Sequence, residues 1–131
     1  MRDKIICVNT GMFLIRLGLG LVFVIHGWGK LSHMQDTIAF FATLGLPAFI
    51  VYLVSLGEFI GGIAMIIGVY TKWAGFGIAI IMAGAVYFMW GKGFSGGYDF
   101  PLVLLLTSLG VAFTGPGTAT IHSLIKKIEI R

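Results

Sequence analysis

Two ionisable residues stand inside long apolar runs of this sequence. Arg16 lies in "LIRLGLGLVFV", and Glu58 lies in "SLGEFIGGIAMIIG". A lone ionised side chain at the centre of a bilayer costs roughly 2.5–3.5 kcal/mol on insertion scales, so two unpaired ones would cost about twice that. A guanidinium binds a carboxylate through two parallel hydrogen bonds, and pairing would relieve this cost. We therefore predict that Arg16 and Glu58 pair between two antiparallel helices.

Such a pair has two interpretations, a structural contact that fixes helix register or the polar floor of a ligand cavity. The neighbours favour the cavity, because residues at helical spacing from Arg16 form one stripe with two glycines. This stripe consists of Gly20, Phe23, Gly27 and Lys30. Gly61 and Gly62, one turn from Glu58, keep the facing wall low, and Lys30 at the end of the stripe is a further ligand-binding candidate.

Three more polar residues are ligand-binding candidates near the predicted outer side. His26 lies ten residues after Arg16, about 15 Å along a helix, and is either an interfacial residue or a group that exchanges protons with the outside. Asp99 either caps the fourth predicted span by accepting free backbone N–H groups or, with Tyr98, closes the mouth of the cavity.

The sequence identifies no catalytic residue and no metal site. The spacing of the three histidines resembles no zinc or haem motif, and Cys7 is the only cysteine, which excludes an intramolecular disulfide and a CxxC pair. The formal net charge is only +4, and the basic residues flank apolar segments, so nucleic acid is not an expected partner.

The composition indicates an integral membrane protein. Apolar residues make up 58% of the 131 residues and charged residues only 11%, against roughly 25% charged in soluble domains. The chain has room for about four spans of roughly 20 residues each. We predict an all-α membrane protein, a four-transmembrane-helix bundle that forms a single domain over residues 1–131. The predicted spans are 5–28, 46–70, 73–90 and 99–114, with a short interfacial helix in "IAFFATLG" between the first two.

The distribution of basic residues predicts an orientation. Six of them fall on one side of the predicted spans, and Lys30 and Lys92 fall on the other. The first group is Arg2, Lys4, Lys72, Lys126, Lys127 and Arg131. The positive-inside rule then places both termini in the cytoplasm. Small residues such as Gly57 and Gly61 allow close helix packing, either within one bundle or in a homo-oligomer.

Three segments together resemble the DoxX family of small bacterial inner-membrane proteins. They are Arg16 through "HGWGKL", the block "GEFIGGIAMIIGVYTKWAG", and "GGYDFPLVLLL" with the later "GPG". Arg16, Gly27, Lys30, Glu58 and Gly62 match the polar and glycine pattern of that family. The resemblance implies a four-helix membrane protein, with relatives named as subunits of a thiosulfate:quinone oxidoreductase or linked to quinone stress.

These observations favour a quinone-linked subunit of a membrane oxidoreductase system. Arg16, Glu58 and His26 would hold the head group of menaquinone or ubiquinone, and a soluble or membrane-bound redox partner would supply electrons. Two alternatives stay open: a scaffold that recruits a soluble redox enzyme through the basic tail "HSLIKKIEIR", and a small-solute transporter gated by the buried pair.

Overall fold

The computed structural model describes residues 1–130, and within them every regular element is helical. Four helices are long and apolar enough to cross a membrane, which confirms the predicted all-α membrane fold. A short helix lies between the first two of them, and an amphipathic helix follows the last. In chain order the α-helices of this region are α1 (Arg2–Ser32), α2 (Met34–Thr43), α3 (Ala48–Ile67), α4 (Thr71–Met89), α5 (Asp99–Thr114) and α6 (Ile121–Glu129).

The bundle is built from two closely packed helix pairs, α1 with α3 and α4 with α5. At the first interface a Cβ built on Gly27 would lie 2.5 Å from the amide nitrogen of Phe59, and one on Gly62 would lie 2.6 Å from that of Val24. At the second, a Cβ on Gly75 would lie 2.7 Å from the carbonyl oxygen of Ser108. Backbones this close need glycine, because lipid provides no hydrophobic drive for helix association and packing must supply it.

The helix α1 is longer than the bundle that it joins. Gly20 packs against Gly62 and Ile66, near the end of α3, so only the C-terminal part of α1 pairs with that helix. The first residues of α1 extend beyond this contact, and most of them are exposed. Arg16 consequently lies level with the end of α3, at one end of the bundle, and not at the bilayer centre for which the cost of an unpaired charge was considered above.

Glycine and turn chemistry set the helix ends. Gly68 ends α3 with a left-handed φ of 74°, and Tyr70, also left-handed at φ 50°, directly precedes α4. The turn between α3 and α4 therefore consists of residues 68–70. The segment after α4 is a 3₁₀ turn at Trp90–Lys92 followed by a wide turn in which the Tyr98 N–H donates to the Gly93 carbonyl. Arg131, which the orientation argument counted, lies outside the described residues.

Candidate functional site: a buried ion pair

Lys30 and Glu58 form an ion pair between α1 and α3. The Lys30 Nζ atom lies 2.5 Å from Glu58 Oε2, and no other salt bridge occurs within residues 1–130. The Glu58 side chain is 3% exposed and the Lys30 side chain 24% exposed. The Glu58 side chain is thus enclosed by protein, whereas the Lys30 side chain is partly accessible.

The two stripes that carry this pair follow from helix periodicity. On α1 the residues Arg16, Gly20, Phe23 and Gly27 are buried and Lys30, at the end of the stripe, is half-buried. On α3 the buried residues lie at the same kind of spacing: Val51, Ser55, Glu58, Gly61, Gly62 and Met65. The glycines bring the two backbones together, and this contact places Lys30 within reach of Glu58.

Arg16 has a different set of partners, in the segment that joins α5 to α6. Its Nη1 atom donates to the carbonyl oxygen of Pro116. Its Nη2 atom donates to the carbonyl oxygens of Thr118 and Ala119 at 3.2 and 2.9 Å. The side chain is fully buried, and the Phe13 ring lies 5.5 Å from its Cζ atom. Arg16 therefore holds the α5–α6 connection against α1.

Arg16 is buried without a carboxylate, and the carbonyl oxygens of Pro116, Thr118 and Ala119 accept the hydrogen bonds of its guanidinium instead. The C-termini of α3 and α5 both lie beside it, and a helix C-terminus carries about half a negative charge. A Cβ built on Gly68 would lie 2.8 Å from Arg16 Nη1, so this end of α3 closes directly on the guanidinium. The Nε atom of Arg16 is the one buried side-chain nitrogen or oxygen without a hydrogen-bond partner in the described residues.

The predicted Arg16–Glu58 pair is wrong. Gly27 contacts Phe59, the residue after Glu58, and lies eleven residues beyond Arg16. At 1.5 Å per residue, Arg16 and Glu58 are about 16 Å apart along the bundle. Arg16 and Glu58 do lie on the facing stripes of α1 and α3, but the axial register of the two helices places Glu58 next to Lys30.

His26 lies one helical turn before Lys30 and is exposed. Its Nδ1–H donates to the Val22 carbonyl oxygen of its own helix at 2.7 Å, and its ring lies 6.2 Å from the ring of Phe100 on α5. Residues four apart on a helix share a face, so His26 adjoins the accessible side of the ion pair.

Tyr98 and Asp99 organise the start of α5. Asp99 is the first residue of α5, and its side chain accepts hydrogen bonds from the Phe100 N–H within α5 and from the Gly96 N–H in the preceding turn, at 2.8 and 3.3 Å. Tyr98 stacks on Trp90 with 4.5 Å between ring centroids. The structure thus gives both residues structural contacts, and it connects this end of α5 to His26 through Phe100.

No described group of three or more histidine, cysteine or acidic side chains is arranged to hold a metal ion. Cys7 is exposed near the start of α1. The polar chemistry of the bundle interior therefore centres on Lys30 and Glu58, with Arg16 and two back-bonded serines, Ser55 and Ser108, elsewhere in the described core.

Sequence reasoning missed the role of residues 115–120. Their one local signal is the glycine pair around Pro116, and Gly115 and Gly117 do adopt positive φ. Helical spacing did mark Lys30, fourteen residues after Arg16 on the same stripe, but the predicted span ended at residue 28 and left Lys30 on the outer side of the membrane. Its place within α1 is what makes it the partner of Glu58.

Comparison with known proteins adds a family and two relatives. The DoxX family model matches residues 11–91. "Putative oxidoreductase CatD" of Bacillus subtilis (strain 168) is 38% identical over 108 residues, which cover 82% of this chain and 81% of that protein. "Inner membrane protein YqjF" of Escherichia coli (strain K12) is 30% identical over 127 residues, which cover 91% and 95%. No solved structure matches the chain.

Proposed function

The chain belongs to the DoxX family, and from this membership we propose that it is a quinone-linked component of an oxidoreductase system in the bacterial inner membrane. The observation that carries the proposal is the Lys30–Glu58 ion pair inside a bundle of membrane-spanning helices. Ionisable residues inside membrane bundles mark ligand sites or proton paths by default. The names of CatD and YqjF, an oxidoreductase and an inner-membrane protein, support the same proposal.

The two side chains have complementary chemistry for a quinone head group. Lys30, whose side chain is partly accessible, donates a hydrogen bond from its ammonium group to a carbonyl oxygen of the quinone and stabilises negative charge that develops there on reduction. The enclosed Glu58 carboxylate holds Lys30 in place and provides a second group that exchanges protons. His26, one turn away and exposed, connects the pair with protons outside the bundle.

The electrons come from a partner in this proposal. The described residues contain no ligand cluster for a metal, and the only cysteine of the chain is Cys7. The chain would therefore bind menaquinone or ubiquinone and exchange protons while a soluble or membrane-bound redox protein transfers electrons. Both termini lie in the cytoplasm in this arrangement, as the basic residues predict.

A transporter receives less support from the packing. Between the levels of Arg16 and Glu58 the interior is filled by Leu19, Phe23 and Met65, which belong to one buried apolar cluster. A solute path would have to pass through this cluster. The scaffold alternative depends on α6, the amphipathic helix that follows the last span.

Quinone binding is measured by fluorescence in lipid nanodiscs. The ring of Trp28 lies 6.0 Å from that of Phe59, beside Glu58, so its emission reports on the site once Trp73 and Trp90 are replaced by phenylalanine in every variant. Titration with short-chain menaquinone and ubiquinone should give saturable quenching in the unmodified protein. Glu58→Gln should weaken binding roughly tenfold, the equivalent of about 1.4 kcal/mol, since a charge-assisted interaction is lost.

Two further variants control this experiment. Lys92→Met removes an exposed cation outside the ion pair and should leave quenching unchanged. Lys30→Arg keeps a cation opposite Glu58 and should retain binding better than Lys30→Met. Equal affinity in the unmodified protein and Glu58→Gln, with both folded by circular dichroism, would contradict the proposal.

A further inference from the structure

The helix α6 presents an apolar face that is exposed. Ile121, Leu124, Ile125 and Ile128 lie at i, i+3, i+4 and i+7, which places them on one side of the helix. Their side chains are between 42% and 73% exposed. An apolar stripe this open is typical of a helix that binds a surface outside its own fold.

The start of α6 is fixed at the end of the bundle. Thr120 is buried, and a Cβ built on Gly68, at the end of α3, would lie 2.8 Å from its Cγ2 atom. Its side chain caps α6 in a reciprocal pair of hydrogen bonds with Ser123, each 3.1 Å long. Arg16 binds the two preceding carbonyl oxygens. The helix therefore leaves the bundle where α3 and α5 end, at the level of one membrane surface.

The charges of α6 are placed to meet lipid headgroups. At 100° per residue, Lys127 lies at one border of the apolar face, next to Leu124, and Lys126 lies near the middle of the polar side, while Glu129 lies at the other border, next to Ile125. Long lysine side chains reach from an apolar face to the headgroup level. At the same end of the bundle Lys72 lies 5.4 Å from the Trp73 ring, and Tyr70 and Trp73 are exposed, as in an aromatic belt at a membrane interface.

We propose that α6 lies along the membrane surface, with its apolar face in the leaflet and Lys126 and Lys127 on anionic lipid headgroups. The occupant of the exposed face is thus the bilayer that α5 crosses six residues earlier. Amphipathic helices with basic residues on the polar side bind membrane surfaces in this way, and their affinity rises with the content of anionic lipid. This inference is independent of the proposed quinone site.

Fluorescent labelling of the full chain tests the proposal. On a Cys7→Ser background, an environment-sensitive dye is attached after Leu124→Cys or Ile128→Cys on the apolar face, or after His122→Cys on the polar side as the matched control. The protein is placed, one copy per nanodisc, in phosphatidylcholine with or without phosphatidylglycerol. We expect blue-shifted emission and protection from a water-soluble quencher at positions 124 and 128 but not at 122, with a larger effect in phosphatidylglycerol.

Neutralising Lys126 and Lys127 should remove the preference for phosphatidylglycerol. With Lys126→Gln and Lys127→Gln together, emission in the two lipid mixtures should become the same. Equal quenching at all three positions would overturn the proposal. So would protection that depends on two copies per nanodisc, which would indicate a second chain on this face, or protection that appears only after addition of a soluble protein extract. If Lys126 and Lys127 are unmodified and the emission at positions 124 and 128 is still the same with and without phosphatidylglycerol, the assignment to anionic headgroups is overturned.

Discussion

At the scale of single residues, Lys30 and Glu58 differ in how much each depends on the other. The Glu58 side chain is enclosed by protein, whereas the Lys30 side chain is partly accessible. Loss of one partner from a buried ion pair typically costs about 3–5 kcal/mol, because the other charge is left without compensation. We therefore expect a larger loss of stability when the enclosed Glu58 carboxylate is left without Lys30 than when the partly exposed Lys30 is left without Glu58.

We predict an asymmetric double-mutant cycle at this pair. Lys30→Met should lower the free energy of unfolding by about 3–5 kcal/mol, Glu58→Gln should lower it by less, and the double variant should recover part of the loss. Unfolding by a denaturing detergent in mixed micelles measures all three. Strictly additive losses would show that the two side chains do not interact.

Arg16 stabilises the chain connection and lies away from the proposed ligand. Its guanidinium binds three carbonyl oxygens of residues 116–119, of which Ala119 has a positive φ of 55°. Such a conformation is strained for a residue with a side chain and needs surrounding contacts to persist. Arg16 provides these contacts.

We therefore predict that Arg16→Met separates stability from ligand binding. Backbone amide exchange in residues 115–120 should rise and the thermal stability should fall, because three carbonyl oxygens lose their donor. Quinone affinity should stay within about twofold, since the ion pair is about 16 Å away along the bundle. Hydrogen exchange by mass spectrometry and the quinone titration make the two measurements, and a strong loss of affinity at unchanged exchange would contradict the assignment.

The residue scale also marks the limit of what the sequence predicts. Helical spacing identified the stripe from Arg16 to Lys30 and the burial of Glu58. It assigned the wrong partner because pairing depends on where two helices cross, and periodicity contains no information about axial register. The carbonyl partners of Arg16 are about a hundred residues away in the chain, and backbone groups leave no mark in a sequence.

At the scale of helices, glycine positions decide the register that periodicity leaves open. Gly27 and Gly62 bring α1 and α3 into backbone contact, whereas a Cβ on Gly29 would meet nothing within 4 Å. Some glycines of α1 are therefore needed for close helix packing and others are not, and Gly27 and Gly29, one of each type, lie within one turn. The sequence predicted that Gly27 gives space but not that the backbone of Phe59 fills it.

Gly27→Ala and Gly29→Ala provide a matched pair of substitutions. Gly27→Ala should separate α1 from α3 and lower stability by several kcal/mol, because the added methyl group would lie 2.5 Å from a backbone nitrogen. Gly29→Ala should leave stability unchanged or raise it slightly, since alanine is the better helix former. Thermal unfolding in detergent compares the two, and similar midpoints would contradict the observed α1–α3 register.

At the scale of the whole molecule, the bundle has two ends with different chemistry. One end holds Arg16, the close of α3 and the start of α6, and the ion pair lies about 16 Å from it along α1. An apolar cluster separates the two levels. The number of spans and the fold class could be predicted from composition and length, because the hydrocarbon thickness sets both.

The position of α6 relative to the bundle could not be predicted from the sequence. The sequence marked "HSLIKKIEIR" as basic and amphipathic, but it could not place the beginning of this segment. That position depends on Thr120 packing beside Gly68 and on the carbonyl oxygens that Arg16 binds, which are contacts between distant parts of the chain.

The central claim is that Lys30 and Glu58, rather than Arg16, hold a quinone. The most direct measurement is mass spectrometry of the lipid-like molecules retained by gently extracted protein, expressed per chain, for the unmodified protein, Glu58→Gln and Arg16→Met. We expect menaquinone or ubiquinone to stay with the unmodified protein and with Arg16→Met and to be lost from Glu58→Gln. Quinone retained equally by Glu58→Gln, or lost only from Arg16→Met, would contradict it.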